Sequence, residues 1–207
     1  MVTNEKLIKA ELFNWRMGAD INDILGSLYS DEARAFVVLN LPDLKNVYEG
    51  SILRAIDSYE KREDFDEAAD IAKKAGLLEK EIELYEKQEY FEHAADIAEK
   101  ALGTERAIDI LCRAACLQNT PAGRERYLKD ALERAKKAGL TAKIIEIYEK
   151  GKNFDKAADA AKEAGLVEKA MENYEKEGDY KEAAEVAEKA GLTERAEMYR
   201  TLDNLLK

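Results

Sequence analysis

Acidic and basic side chains recur along this 207-residue chain at a fixed step. Asp57, Glu83, Asp109, Glu146 and Glu172 make one series. Glu60, Glu86, Cys112, Glu149 and Glu175 make a second, and Lys61, Lys87, Arg113, Lys150 and Lys176 a third. The step within each series is 26 residues, apart from one step of 37 between the third and fourth members. Carboxylates and amines repeated in this way can hold a charged partner at many points, but they single out no atom for bond-making. Each first-series acid also stands four residues ahead of a third-series base. On a helix that order is worth about 0.2–0.5 kcal/mol per pair. Two readings therefore stand side by side: a solvated helix face laced with ion pairs, or a charged ladder that receives an extended basic peptide or helix. On the second reading the partner-binding residues are Glu83, Glu86, Lys87, Asp109, Arg113, Glu146, Glu149, Lys150, Glu172, Glu175 and Lys176.

A second cluster has the opposite sign. Seven basic residues (Arg113, Arg124, Arg126, Lys129, Arg134, Lys136 and Lys137) lie between Ile108 and Ala138, against the acids Asp109, Glu125, Asp130 and Glu133. Arg124, Arg126, Lys129 and Arg134 form a secondary basic patch suited to an acidic protein or a second copy of this chain; a solvated helix face is the plainer alternative.

Other chemistry finds little footing. The single histidine, His93, stands where other repeats carry Glu67, Lys156 and Glu182, so it reads as a variable solvent-facing position and no nucleophile triad can be built on it. Cys112 and Cys116 are four apart on a predicted helix, whereas a zinc site needs about four ligands, so both read as small buried hydrophobes. Asp20-Ile21-Asn22 with Gly26 fails as a calcium loop because Ile24 occupies a ligand position. Gly151-Lys152 lacks the glycine-rich approach of a phosphate loop. No catalytic, cofactor-binding or metal-ligating residue is assigned, and no cofactor is expected.

Composition narrows the partners. A net charge of −11 disfavours nucleic acid and anionic membrane surfaces, which require a basic face. No run of 18 apolar residues occurs, and the opening Met1-Val2-Thr3-Asn4-Glu5-Lys6 is not a secretory leader; a cytoplasmic protein without membrane insertion is the expectation.

The elements that position these side chains follow from the same 26-residue step. Tyr59, Tyr85, Tyr148 and Tyr174 recur with it, as do Ala68-Ala69, Ala94-Ala95, Ala157-Ala158 and Ala183-Ala184. A fixed period of this length means stacked helical hairpins. Alanines at offsets 0, 1, 4 and 7, such as Ala157, Ala158, Ala161 and Ala164, predict a stripe of small side chains on the second helix of each hairpin. Gly76 predicts a helix end, and Ser51 an N-cap. Leu111 stands in place of the repeat tyrosine, and Gly76 to Gly139 is 63 residues, two periods plus 11. The surplus is placed around Cys116 to Arg126, with Pro121 opening a long helix to residue 138. Residues 1–50 lie outside the period. They predict short helices from Asn4 through Trp15, from Asp20, from Ser30 and after Pro42, together an N-terminal helical cap.

The frame Tyr148, Phe154, Ala157, Ala161, Ala164 resembles the tetratricopeptide repeat over residues 51–202, although the period is 26 rather than 34 and the Trp-Leu-Gly and closing Pro signatures are missing. The resemblance implies an all-α superhelix, a solenoid of short helical hairpins, with the charged series lining its concave face. The reading is one continuous domain: a cap over 1–50 and a repeat solenoid over 51–207 with an insertion near 116–126. The expected function is a non-enzymatic scaffold that binds another protein or peptide. A self-assembling structural element, or an enzyme or regulatory protein with its site in the cap or the insertion, is the alternative.

Overall fold

The computed structural model describes residue 15 and residues 18–28 and 30–206. The expected helix from Asn4 lies almost wholly outside them. Thirteen helices and no strand occur among the described residues: α1 (Ile21–Ser27), α2 (Asp31–Asn40), α3 (Glu49–Glu60), α4 (Phe65–Ala75), α5 (Leu78–Lys87), α6 (Phe91–Ala101), α7 (Thr104–Leu117), α8 (Pro121–Lys137), α9 (Thr141–Lys150), α10 (Phe154–Glu163), α11 (Val167–Glu177), α12 (Tyr180–Lys189) and α13 (Thr193–Leu205). The fold is all-α, a repeat of helical hairpins in which consecutive helices pack on one another. None of these helices is long and apolar enough to cross a membrane.

The chain forms two compact units, Met1–Ala94 and Ala95–Lys207. In the first, the cap and the opening hairpin share one core: Leu25, Val37, Val38 and Leu41 belong to the same buried cluster as Ile52, Ile56, Ala69 and Ile71. In the second, Ala157, Ala158, Ala161, Met171, Tyr174, Ala184 and Ala187 form the core of the last hairpins.

The repeated sequence words are helix endings. At the end of α3 the Asp64 N–H donates to the Tyr59 carbonyl (3.0 Å) and the Glu63 N–H to that of Glu60 (3.0 Å). The same two bonds recur at Tyr85/Tyr90, Tyr148/Asn153 and Tyr174/Asp179. The second helix closes alike, Leu77 N–H to Ala72 (2.9 Å) and Leu166 N–H to Ala161 (2.8 Å). Both are Schellman closures, which require a left-handed residue one place before the long-range donor. In the hairpin turn that residue is Glu63, Glu89, Lys152 or Gly178, with φ of 62°, 61°, 56° and 85°. Only Gly178 adopts it without a Cβ penalty, which is about 1–2 kcal/mol for an L-residue. Lys152→Gly is therefore expected to stabilise the protein by up to about 1 kcal/mol once the added freedom of the unfolded chain is subtracted. Lys152→Val should do the reverse. Urea midpoints for the pair check this; a loss of stability on Lys152→Gly would remove the strain argument.

Three expectations need correction. No separate short helix forms directly after Pro42: residues 41–48 form turns and bends in which Leu41, Leu44 and Val47 are buried. Their spacing imitates a helix, but Asn22 of α1 takes the backbone, its Nδ2 donating to the Asn46 carbonyl (2.8 Å) and its Oδ1 accepting from the Tyr48 N–H (2.9 Å). Ser51 does not cap α3, which starts at Glu49 behind Tyr48 with no side-chain cap. The alanine stripe has three fully buried members per hairpin, not four: Ala164 is the exposed C-cap of α10, Ala101 and Ala190 are exposed too, and Ala75 is only half-buried.

The surplus of 11 residues is not a loop. Helices α7 and α8 hold 14 and 17 residues, against 10 each in α9 and α10, a surplus of 4 and 7. The turns between them are equal, residues 118–120 and 151–153. At 1.5 Å per residue the hairpin outreaches its neighbour by about 6 Å along one helix and about 10 Å along the other, short of a displacement carried by α8 alone. Pro121 occupies the first turn of α8, and the Thr120 hydroxyl caps it by accepting from the Gly123 N–H (3.1 Å).

Candidate functional site: the charged rows and the lengthened hairpin

The three charged series fall on the first helices, at the closing end of α3, α5, α9 and α11, with Lys61 the C-cap of α3, but in the middle of the lengthened α7. Where α5 packs beside α3, Glu60 accepts from both Lys80 (3.0 Å) and Lys87 (2.5 Å). The pattern returns where α11 follows α9: Glu149 accepts from Lys169 (2.8 Å), with Lys176 at 3.8 Å. Glu60 and Glu149 are thus each met by two lysines of the next repeat. Lys87 also meets Glu83 at 2.8 Å, and Lys150 meets Glu146 at 3.6 Å, within one helix.

At the irregular repeat the second-series residue is Cys112, which has no charge to offer. Lys143 of α9 instead reaches back to Asp109 (2.6 Å) and along its own helix to Glu146 (3.2 Å). Cys112 is buried, and burial pushes its thiol up to about 11, so it stays protonated near neutrality. Cys116 is exposed.

These contacts shift the groups that they join. The Lys87 hydrogen bond holds Glu83 below the ordinary carboxylate range. Burial would raise Glu149, but hydrogen bonds from Lys169 and Asn173 outweigh it and leave it lowered. Lys143 is raised by its bond to Asp109.

Lys80, Lys143 and Lys169 belong to a fourth series that the sequence reading missed: Arg54, Lys80, Arg106, Lys143, Lys169 and Arg195. It obeys the same step, and Arg195 continues it by pairing with Glu168. With it the ladder holds two acidic and two basic series and is close to neutral. Of the remaining candidates, Glu86 is half-buried and Arg113 exposed; Glu172 is exposed, and Glu175 accepts from the Tyr199 hydroxyl (3.2 Å).

The basic patch is not one surface. Arg134 turns inward, only 15% of its side chain exposed, to Asp130 (3.0 Å), Asp96 (2.6 Å) and Glu99. Burial alone would lower that guanidinium; the hydrogen bonds it donates to Asp96 and Asp130 raise it instead. Arg134 is therefore a tie between α6 and α8. Arg126 lies over the Tyr127 ring (4.6 Å) and donates to its hydroxyl (2.8 Å). Arg124 and Lys129 point outward and form no ion pair among the described residues. His93 is exposed, with its ring edge-on to Tyr85 at 4.5 Å. No group of three or more His, Cys, Asp or Glu among the described residues could hold a metal ion.

No protein-family model matches this chain. No curated protein matches it either. Among solved structures it is similar to one titled "DHF58 filament", 20% identical, spanning 98% of this chain and 90% of that one with a TM-score of 0.12. A superposition that poor carries no argument.

Proposed function

We propose that this protein is an interaction scaffold rather than an enzyme, binding another protein or peptide through the charged faces of its first helices. The observation that carries the reading is the ordered array on those faces: carboxylates and amines recur at one register, tied across from α3 to α5 and from α9 to α11 and along α5 and α9 themselves. Exposed pairs of this kind add at most about 1 kcal/mol each to stability. What they supply is order, because a partner meets side chains already fixed and loses less entropy in arranging them. The tetratricopeptide resemblance points the same way. A ladder with both signs suits a partner whose own charges alternate, exchanging with the pairs one by one.

Isothermal titration against a basic, an acidic and an alternating-charge peptide tests this. Heat with the alternating peptide, weakening by about tenfold between low and physiological salt, is the expected result. Flat traces with all three would sink the reading. Light scattering over a range of concentrations, run in parallel, reports whether the partner is a second copy of this chain.

A further inference from the structure

The lengthened hairpin creates a surface that no regular repeat has. Its overhang projects past the turn at 151–153, and a cleft of about 420 Å3 lies beneath α8. Leu128, Leu132, Ile147 and Tyr148 give it an apolar floor, with Arg124 and Lys129 along the rim. A smaller hollow of about 190 Å3, edged by Cys116 and Lys150, shares Arg124 and Leu128 with it as lining. Gly151 makes the room. Its φ of −76° suits any residue, so glycine is not there for the backbone. A Cβ added at this position would come within 3.3 Å of the Leu128 Cδ1 methyl. Other hairpins carry Arg62, Gln88 and Glu177 at the equivalent place.

We propose that this cleft, between α8 and the end of α9, docks an acidic amphipathic helix of a partner protein, at a site distinct from the charged series. The argument is charge complementarity over an apolar floor. In a chain of net charge −11, the cations on this rim are left without carboxylate partners, whereas Arg134 one turn further along is fully engaged. Glu125 is the one acid on the rim, so Arg124 and Lys129 prevail. A ligand helix would place leucine-type side chains on Leu128, Leu132 and Tyr148, and carboxylates against the two cations. A basic segment would be repelled, and a purely apolar one would leave the cations without partners.

The test uses the full chain and two fluorescent peptides of about 14 residues, long enough for a helix to span the cleft. Both carry leucines at helical spacing, one flanked by glutamates and the other by lysines. Saturable binding of the glutamate peptide is expected, about tenfold or more tighter than the lysine peptide. The exposed double variant Arg124→Glu/Lys129→Glu should lose at least about tenfold. Gly151→Arg, which fills the cleft, should lose binding too, while Glu149→Gln on the ladder should leave it unchanged. If the double variant binds as well as the parent, or if both peptides bind equally, the proposal is overturned. Loss only with Glu149→Gln would move binding to the ladder and also overturn it. Should Gly151→Arg fail to fold by circular dichroism, the surface double variant still decides.

Discussion

Replacing Tyr174 by alanine is expected to lower the stability of the protein by about 3–5 kcal/mol, the cost of emptying a large, fully buried aromatic site. Tyr174 is only 1% exposed and packs in the core with Met171, Ala184 and Ala187. Its hydroxyl donates to the Asp159 carboxylate at 2.6 Å, and the Lys162 ammonium sits 5.7 Å from the ring centre. Burial first, and then the Asp159 bond, push the phenol well above its usual range. Tyr174→Phe keeps the packing and frees Asp159, which is already exposed, so the cost falls to about 0.5–1.5 kcal/mol. Tyr148, its counterpart one repeat earlier, is only half-buried and borders the α8 cleft, so its alanine variant should lose less. Denaturant midpoints by far-UV circular dichroism measure all three. A Tyr174→Ala loss equal to that of Tyr174→Phe would refute the packing role.

The second large effect is steric. Ala158 has no exposed surface, and α10 is pressed between α9 and α11. Ala158→Leu adds three carbons to a seam with no space and should cost about 1–3 kcal/mol. Ala164→Leu, six residues later in the same apparent motif, lies at the exposed C-cap of α10 and should change stability by less than about 0.5 kcal/mol. Equal losses at the two sites would mean the stripe runs through the cap after all.

That contrast shows where the sequence was legible. Helix α10 and its equivalents are set by local signals, alanines at short offsets and a glycine at the close, and local signals survive in a string of letters. The offset-7 alanine belongs to the same string, yet the Schellman closure lifts it out of the seam. Residues 41–48 mislead for the opposite reason: their apolar spacing is helical, but the outcome depends on Asn22, 24 residues away from its bonding partner Asn46. The charged rows were visible as series, since a fixed step needs no structure. Their closure onto the next repeat was not, because Lys80 and Glu60 meet only when two helices lie side by side. Even so, Lys143 and Lys169 stand 26 residues apart, so the fourth series was within reach of the same ruler. The cleft beneath α8 was beyond it. Reading the surplus as one segment near residues 116–126 hid the fact that two helices share it.

The way they share it sets a rule for how such a chain can grow. An α-helix turns about 100° per residue, so 4 added residues rotate its far end by about 40° and 7 by about −20°. Five or six would rotate it by about 140° or −120° and turn the apolar stripe toward water. The surpluses of 4 and 7 in α7 and α8 are among the few that leave the core side in phase. Lengthening a hairpin by near-whole turns is thus silent in the interior and expressed only at its tip. New surface can be added there without renegotiating the fold beneath it.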